Sequence, residues 1–306
     1  MDNMRTLQVG LIFCSMLSIL YFLVDFRLLS DHKSATKNIF FIETSGASSL
    51  NFRQVCAIES TARHNPFMSI IVLLFTKHHV KYEFSNVQMR STTFEEIFEG
   101  TPLEKWYFQK KWNRSVYKVY HLSDAARYAV IWKHGGIYLD LDIIMLKSLP
   151  SFSNFVLKAR ANRICNGIFG LQRNHSILYN CMKDFVKVYK SNCFACVGPI
   201  LFTKRFVSFC GEKNVDDVEK RKSCNVNILN PISAFPVPYR KWRDYFTNSK
   251  SLDIIEKMNN SYMIHVWNKF SSKKILHKNS GSVYEIAMTR NCPTTYAQAI
   301  KSGGKL

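Results

Sequence analysis

Two aspartates stand two residues apart after an apolar run, in the sequence GGIYLDLDII of residues 135–144. Side chains at positions i and i+2 of a β-strand point to the same face, so Asp140 and Asp142 are predicted to project together near the carboxyl end of a buried strand. Two neighbouring carboxylates suit Mg²⁺ or Mn²⁺, which complete their shells with water and substrate phosphates. A bare Asp-x-Asp is short, however, and such a pair is often solvated or paired with lysine.

A helical pattern precedes this strand and carries two further charged groups. Ser123 is the predicted N-cap, Asp124 lies in the first turn where the helix dipole favours an acid, and Gly135 is the predicted C-terminal stop. Asp124 and Arg127 are three residues apart and therefore share one helix face, which also fits a local surface salt bridge. The helix, the Gly-Gly pair and the strand together predict that the carboxylates reach the carboxyl edge of an α/β sheet, where ligands bind.

One histidine near the end of the chain follows a strand-like run, in the sequence YMIHVWNK of residues 262–269. A lone histidine in an apolar run is usually a core residue with satisfied hydrogen bonds. An imidazole is also a metal ligand, so His265 could complete a metal site with Asp142. The residues alone leave both interpretations open.

The composition and the apolar runs predict an α/β fold with a mostly parallel central sheet. The chain has 306 residues, of which 47% are hydrophobic, enough for a substantial core. Residues 69–75 (SIIVLLF) are almost continuously aliphatic, which is typical of a parallel strand buried on both faces. Residues 38–42 predict another strand, and residues 56–63 predict a helix that Asn65 and Pro66 end.

The chain is strongly basic, with a formal net charge of +20. This charge favours an anionic partner, such as a phosphorylated substrate or an anionic membrane surface. No block of five or six lysines and arginines and no nucleic-acid-binding motif is present, so nucleic acid is the least favoured partner.

The first residues predict a membrane anchor. Residues 7–24 carry no charge, and at about 1.5 Å per residue they span a bilayer core. We expect a cytoplasmic tail at residues 1–6, a signal anchor at 7–24, a short stem at 25–37 and a lumenal catalytic domain at 38–306. A cleaved signal peptide is the alternative, but no small-x-small cleavage pattern closes the run.

Cysteines and glycosylation sequons favour an oxidising, secretory compartment. Eight of the nine cysteines follow the hydrophobic run, and an even number fits disulfide bonds. Cys193 and Cys196 form a Cys-x-x-Cys motif, for which a disulfide is favoured over zinc because no second ligand pair is evident. Asn113, Asn174 and Asn259 each begin an Asn-x-Ser sequon.

Several segments together resemble one enzyme family. Residues 123–150 (SDAARYAVIWKHGGIYLDLDIIMLKSLP) and 265–269 (HVWNK) are similar to the α1,4-glycosyltransferases with a DXD sugar-binding region. Further matching segments are IFFIETS (39–45), CAIESTARHNP (56–66), GPILFT (198–203) and NCPTTYAQA (291–299). The resemblance covers nearly everything after the stem.

This resemblance implies a type II Golgi membrane enzyme with a GT-A-type nucleotide-sugar-binding fold. It implies a UDP-sugar donor, a divalent cation that is usually Mn²⁺ (or Mg²⁺), and retention of anomeric configuration. The implied catalytic acids are Asp124, Asp140 and Asp142, and the implied metal ligands are Asp140, Asp142 and His265. The implied donor-binding residues are Asp124, Arg127, Asp140, His265, Trp267 and Asn268. No acid identifies itself as a nucleophile, which favours same-face attack.

The implied reaction transfers galactose or N-acetylgalactosamine, from UDP-galactose or UDP-N-acetylgalactosamine, in α1,4 linkage to a glycosphingolipid. An alternative is transfer of N-acetylglucosamine to glycoprotein O-glycans. From other classes, a membrane-anchored carbohydrate-binding protein without turnover remains open, as does a phosphatase of the haloacid-dehalogenase type. The phosphatase would need Thr or Val at Ile144 and a later acidic pair, for which only Asp216 and Asp217 are candidates. The sequence does not predict the oligomeric state.

Overall fold

A mixed sheet forms the centre of this computed structural model, which describes residues 38–76, 84–151 and 153–304. The strands of the described residues, in chain order, are β1 (Ile39–Glu43), β2 (Ile70–Leu74), β3 (Val87–Ser91), β4 (Gly136–Leu139), β5 (Ile143–Met145), β6 (Phe155–Arg160), β7 (Arg163–Leu171), β8 (Asn227–Leu229) and β9 (Met263–His265). Seven of them form the central sheet, in the order β3-β2-β1-β4-β7-β6-β8. Four of its six pairings are parallel, which confirms the mostly parallel α/β prediction.

Strand β1 shows why four of its five residues are apolar. All five of its residues are buried, and alternate side chains reach opposite faces of the sheet. Phe40 belongs to the buried cluster that contains Tyr128, whereas Phe41 belongs to the cluster on the other face with Ala57. Burying one such side chain stabilises the fold by about 1.5–3 kcal/mol, so helices on both faces account for the continuous hydrophobicity.

Helices cover both faces of the sheet. The α-helices of the described residues are α1 (Phe52–His64), α2 (Phe94–Phe98), α3 (Glu104–Phe108), α4 (Lys118–His134), α5 (Ser176–Val188), α6 (Pro199–Phe209), α7 (Val215–Arg221), α8 (Ser251–Met258), α9 (Asn268–Ser271), α10 (Val283–Asn291) and α11 (Pro293–Lys301). Short 3₁₀ helices lie at Lys111–Arg114, Pro231–Ser233, Tyr239–Phe246 and Asn248–Lys250. Helix α1 ends at His64 with Asn65 as its C-cap, as predicted, although it begins earlier than predicted.

One local prediction around the aspartates is wrong, and a second is confirmed in place but not in backbone conformation. Helix α4 begins at Lys118 rather than after Ser123, because the preceding turn is held by the buried side chains of His121 and Leu122. Asp140 and Asp142 lie at the carboxyl end of β4, as predicted, but the strand ends at Leu139, so both are in the short turn between β4 and β5. The predicted stop at Gly135 is confirmed, with φ 67° at the helix C-cap.

A second, two-stranded sheet brings distant segments to this turn. Strand β5 pairs antiparallel with β9, and Ile143 lies opposite His265. The backbone N–H of Val266 donates to the carbonyl of Asp142 over 2.9 Å. The turn that holds the aspartates is therefore fixed between the main sheet and the segment that holds the histidine.

Three disulfide bonds link six of the eight described cysteines, which confirms the prediction of disulfides, including the one within Cys-x-x-Cys. They join Cys56 to Cys292, Cys193 to Cys196 and Cys210 to Cys224. Cys165 and Cys181 are free. The predicted tail, anchor and stem (residues 1–6, 7–24 and 25–37) lie outside the described residues, within which every helix is too short or too polar to span a bilayer.

Candidate active site

The acids of the β4–β5 turn and the histidine of β9 form one cluster. Asp140, Asp142 and His265 each offer a ligand atom, and these atoms lie within 4.8 Å of one another. The imidazole Nε2 is 3.3 Å from Asp142 Oδ1 and 3.8 Å from Asp140 Oδ2. Asp142 and His265, which are 123 positions apart in the chain, thus meet at the carboxyl end of β4, and the structure brings together the three residues that the family resemblance implied as metal ligands.

Asp140 is held by three neighbours. Its backbone N–H donates to the carbonyl of Gly167 over 2.8 Å, and the Tyr138 hydroxyl donates to Oδ1 over 2.8 Å. Arg127 Nη1 lies 3.2 Å from the same oxygen. Burial alone would raise the pKa of Asp140, but Arg127 and His265 lower it below its usual value, so the carboxylate stays ionised.

Arg127 is buried on α4, and each of its three side-chain nitrogens donates to a neighbour. Nε and Nη2 donate to the carbonyl and the hydroxyl of Ser123, over 3.1 and 2.7 Å, and Nη1 donates to the Asn166 carbonyl over 2.9 Å. The guanidinium also lies 4.6 Å from the centre of the Tyr138 ring. Ser123, which the sequence predicted as a helix cap, instead orients the arginine.

Asp124 lies on the same helix and is also buried. Its Oδ1 accepts from the Asn166 side-chain amide over 2.7 Å and lies 3.6 Å from Arg127 Nε. Burial raises the pKa of Asp124 to about 6, and the charge of Asp140 adds to the rise while Arg127 and Asn166 oppose it. The predicted Asp124–Arg127 pair is therefore part of the site network and not a surface salt bridge.

Asp142 is held from the opposite side by helix α9. The backbone N–H of Asn268 donates to Oδ2 over 2.7 Å. Trp267, the preceding residue, has the left-handed φ of 55° that turns this N–H toward the carboxylate, a backbone strain that is typical of functional sites. The Asn268 side chain accepts instead from buried Arg53 over 2.7 Å, so its backbone, not its amide, reaches the site.

His265 is buried and its two nitrogens have different partners. The backbone N–H of Trp267 donates to Nδ1 of His265 over 3.2 Å, and Nε2 faces Asp140 and Asp142. Burial lowers the pKa of His265, but the two carboxylates outweigh it and hold the pKa above its usual value. The Trp267 ring lies 4.4 Å from the imidazole, and its indole N–H donates to the Val237 carbonyl.

Two glycines make room for the acids. A Cβ at Gly167 would collide with the Asp140 carboxylate, and a Cβ at Gly198 would collide with that of Asp124. Asn166, Gly167 and Gly198 were not assigned a role from the sequence. A polar Asn-Gly pair inside the apolar run of β7 is the signal that could have identified the first two.

The ligand atoms of Asp140, Asp142 and His265 fit a hard divalent cation. Two carboxylates supply the oxygen ligands that Mg²⁺ and Mn²⁺ prefer, and an imidazole nitrogen suits Mn²⁺ better than Mg²⁺. A cation at Nε2 would replace the ring proton there. Asp216 and Asp217, which the phosphatase hypothesis needs, lie elsewhere: Asp216 pairs with Lys158, and Asp217 is held by Asn214.

Comparison with protein families agrees with this arrangement. Residues 51–161 match the model for the glycosyltransferase sugar-binding region containing the DXD motif. Residues 170–299 match the model for the α1,4-glycosyltransferase conserved region. The lactosylceramide 4-α-galactosyltransferase of Mus musculus is 35% identical over 290 residues, which cover 89% of this chain and 80% of the relative.

The chain belongs to the α1,4-glycosyltransferase family.

This family member is therefore a hexosyltransferase and not a carbohydrate-binding protein without turnover. A second relative, the human α-1,4-N-acetylglucosaminyltransferase, is 29% identical over 283 residues, which cover 88% of this chain and 82% of the relative. Among solved structures, the PaToxG glycosyltransferase has a TM-score of 0.48 at 20% identity, covering 60% of this chain and 72% of that one.

Replacement of Asp142 by Asn is expected to weaken Mn²⁺ binding and to lower kcat/KM by about 10²–10³-fold. The amide oxygen can still accept from the Asn268 N–H, but the ligand charge is lost. Mn²⁺ binding is measured by electron paramagnetic resonance, and folding by thermal melting. Asp216→Asn, which removes an acid paired with Lys158 away from the cluster, is the matched control. Unchanged Mn²⁺ affinity in Asp142→Asn would show that this acid is not a ligand.

Replacement of Gly167 by Ala is expected to displace the Asp140 carboxylate and lower kcat/KM by about 100-fold, because small misplacements of reacting groups are costly. Gly170→Ala is the matched control on the same strand, since its added methyl meets the Phe155 ring in the core. We expect Gly170→Ala to lower the melting temperature but to retain Mn²⁺ affinity. Equal kcat/KM values in the two variants would contradict the role of Gly167 in making room for the Asp140 carboxylate.

Proposed function

We propose that the chain transfers galactose or N-acetylgalactosamine from a UDP-sugar, in α1,4 linkage and with retention, to a glycosphingolipid. The observation that carries the proposal is the Asp140–Asp142–His265 cluster at the end of β4, within a chain of this family. A relative named for lactosylceramide as its acceptor shares 35% of its residues with the chain. We also propose that the α/β fold is of the GT-A type.

The cluster supports binding of the donor diphosphate through Mn²⁺. When bound, the cation neutralises the charge that develops on the departing diphosphate. Asp140 and Asp142 would hold it from the β4–β5 turn, and His265 would complete its protein ligands. Arg127 keeps Asp140 ionised and oriented, and we assign it this role together with contact to the donor phosphate.

The surroundings of the acids support retention by same-face attack. A nucleophile in a double-displacement reaction needs a carboxylate oxygen free to approach the sugar. Asp124 is held by Asn166, Asp140 by Tyr138 and Arg127, and Asp142 by the Asn268 N–H. The acceptor oxygen then bonds to the anomeric carbon as the bond to the phosphate oxygen breaks, and that phosphate oxygen takes the acceptor proton.

We further propose a single-pass type II Golgi protein with its catalytic domain in the lumen. The uncharged run at residues 7–24 supports the anchor, and the three disulfides support an oxidising compartment. All three sequon asparagines are exposed, as glycan attachment requires.

Transfer of N-acetylglucosamine to O-glycans is the second candidate function. It is favoured by the 29% identity to the human α-1,4-N-acetylglucosaminyltransferase over 88% of the chain.

A donor and acceptor panel tests the two functions. The full chain in detergent is assayed with Mn²⁺ and UDP-galactose, UDP-N-acetylgalactosamine or UDP-N-acetylglucosamine, each against lactosylceramide and a mucin-type core. We expect UDP-galactose or UDP-N-acetylgalactosamine with lactosylceramide to give the highest kcat/KM, and chelation of the metal to abolish transfer. Preference for UDP-N-acetylglucosamine with the mucin core would select the second function, and no transfer of any sugar would refute both.

Endoglycosidase treatment tests the lumenal placement. We expect the endoglycosidase to increase the electrophoretic mobility of the wild-type chain. It should not change the mobility of a triple variant in which Asn113, Asn174 and Asn259 are each replaced by Gln. Activity of the triple variant serves as the control for folding. A wild-type chain whose mobility does not change would argue against a lumenal catalytic domain.

A further inference from the structure

An aromatic strip leads away from the acid cluster. We define the strip as Trp267, Tyr239, Phe270, Phe194 and Tyr120. The Trp267 ring lies 4.4 Å from His265 and 6.1 Å from Tyr239, which stacks on Phe270 at 6.1 Å. The Phe194 and Tyr120 rings meet edge to face at 5.1 Å. Tyr120 and Phe270 are 44% and 45% exposed, so the outer end of the strip is open to a ligand.

Lys269 joins the two halves of the strip. Its Nζ lies 3.0 Å from the centre of the Phe194 ring and 5.9 Å from those of Tyr120 and Phe270. No carboxylate of the described residues lies within 4.0 Å of this ammonium group, in contrast to Lys158 and Lys257. The ammonium therefore keeps hydrogen-bond donors for a ligand while the ring stabilises its charge.

Phe194 is presented by a rigid turn. The Cys193–Cys196 disulfide closes the turn, and His121 Nε2 lies 3.1 Å from the Cys193 carbonyl, which ties the turn to α4. Tyr128, also on α4, donates from its hydroxyl to the carbonyl of Gly198 over 3.1 Å. Gly198, two residues after the turn, lies against the Asp124 carboxylate, so the segment from the turn to Gly198 reaches one side of the acid site and forms a wall there.

The opposite wall is the segment that follows His265. Asn268 holds Asp142 through its N–H, and Lys269 and Phe270 are the next two residues. The strip therefore begins at both walls of the acid cluster and extends outward. A transferase must hold the acceptor hydroxyl about 3–3.5 Å from the donor carbon, so the acceptor has to lie against these walls.

We propose that Phe194, Tyr120, Phe270 and Lys269 bind the terminal hexose of the acceptor glycan. A pyranose has an apolar C–H face that suits a flat aromatic ring, and hydroxyl oxygens that accept from an ammonium group. An uncharged sugar explains why aromatic rings outnumber cations here, whereas a phosphate-binding wall would need more cations. This assignment rests on the proposed function and specifies the acceptor side of the same site.

The test separates acceptor binding from donor binding. The probes are methyl β-lactoside, which ends in galactose, and UDP-galactose, assayed with Mn²⁺ on the full chain in detergent. Phe194→Leu keeps apolar volume but removes the ring face. We expect it to raise the acceptor KM by about 3- to 10-fold and to change the UDP-galactose KM less than twofold. Lys269→Met should raise the acceptor KM similarly, because it removes the donors and keeps the stem.

Controls make each outcome decisive. Phe67→Ala removes a 91% exposed ring at the amino end of β2, the sheet edge opposite the acid cluster, and should leave both KM values unchanged. Equal rises in donor and acceptor KM would place the strip at the diphosphate and overturn the proposal. An unchanged acceptor KM in both variants would also overturn it.

A direct binding measurement tests the hexose site on the aromatic strip independently of the proposed transferase activity. Methyl β-lactoside binding to the chain with UDP and Mn²⁺ is measured by saturation-transfer NMR, which needs no turnover. Binding that weakens in Phe194→Leu supports the strip even if the wild type transfers none of the sugars tested. Absence of binding in the wild type, alongside measurable transfer to another acceptor class, would refute the hexose site and leave the transferase intact.

Discussion

Carboxylates that lie close together repel one another, and the way this repulsion is offset governs the construction of the site. At the separations of the Asp140–Asp142 pair, two like charges cost roughly 3–4 kcal/mol at an effective dielectric constant of about 20. Asp124 adds a third acid through its shared contact with Arg127. Four groups keep these acids in place: the guanidinium of Arg127, the hydroxyl of Tyr138, the side-chain amide of Asn166 and the backbone N–H of Asn268.

These partners come from segments far apart in the chain, and that explains the fold around the site. Helix α4 supplies Asp124 and Arg127, strand β7 supplies Asn166 and Gly167, and helix α9 supplies the N–H for Asp142. Strand pairing brings these segments together: β7 lies beside β4, and β9 lies beside β5. The carboxylates of Asp140 and Asp124 fill the space that a Cβ at Gly167 or Gly198 would need. The backbone can therefore lie this close to the acids only because both residues are glycine.

The sequence predicts the parts of this arrangement that depend on local pattern. Continuous hydrophobicity identifies β1 and β2 because both sheet faces are buried, and the glycine stop identifies the end of α4. Ser123 has the chemistry of a helix cap, but its hydroxyl has an alternative partner in Arg127 four residues on, which local pattern does not reveal. The contacts of Asn166, Gly198 and the Asn268 N–H depend on tertiary pairing, which no spacing in the sequence encodes.

The charge balance of the site relates to the proposed donor. Counted by formal charge, the three carboxylates and the Arg127 guanidinium leave two negative charges, which one divalent cation would neutralise. A diphosphate donor is anionic as well, so the acid cluster repels it until the cation is present. The surplus of Lys and Arg elsewhere, a formal +20 for the chain, attracts anions toward the protein at long range. In the proposed function the basic residues and the acidic cluster therefore have separate roles. The basic residues raise the local concentration of the donor, and the acidic cluster makes donor binding depend on the metal.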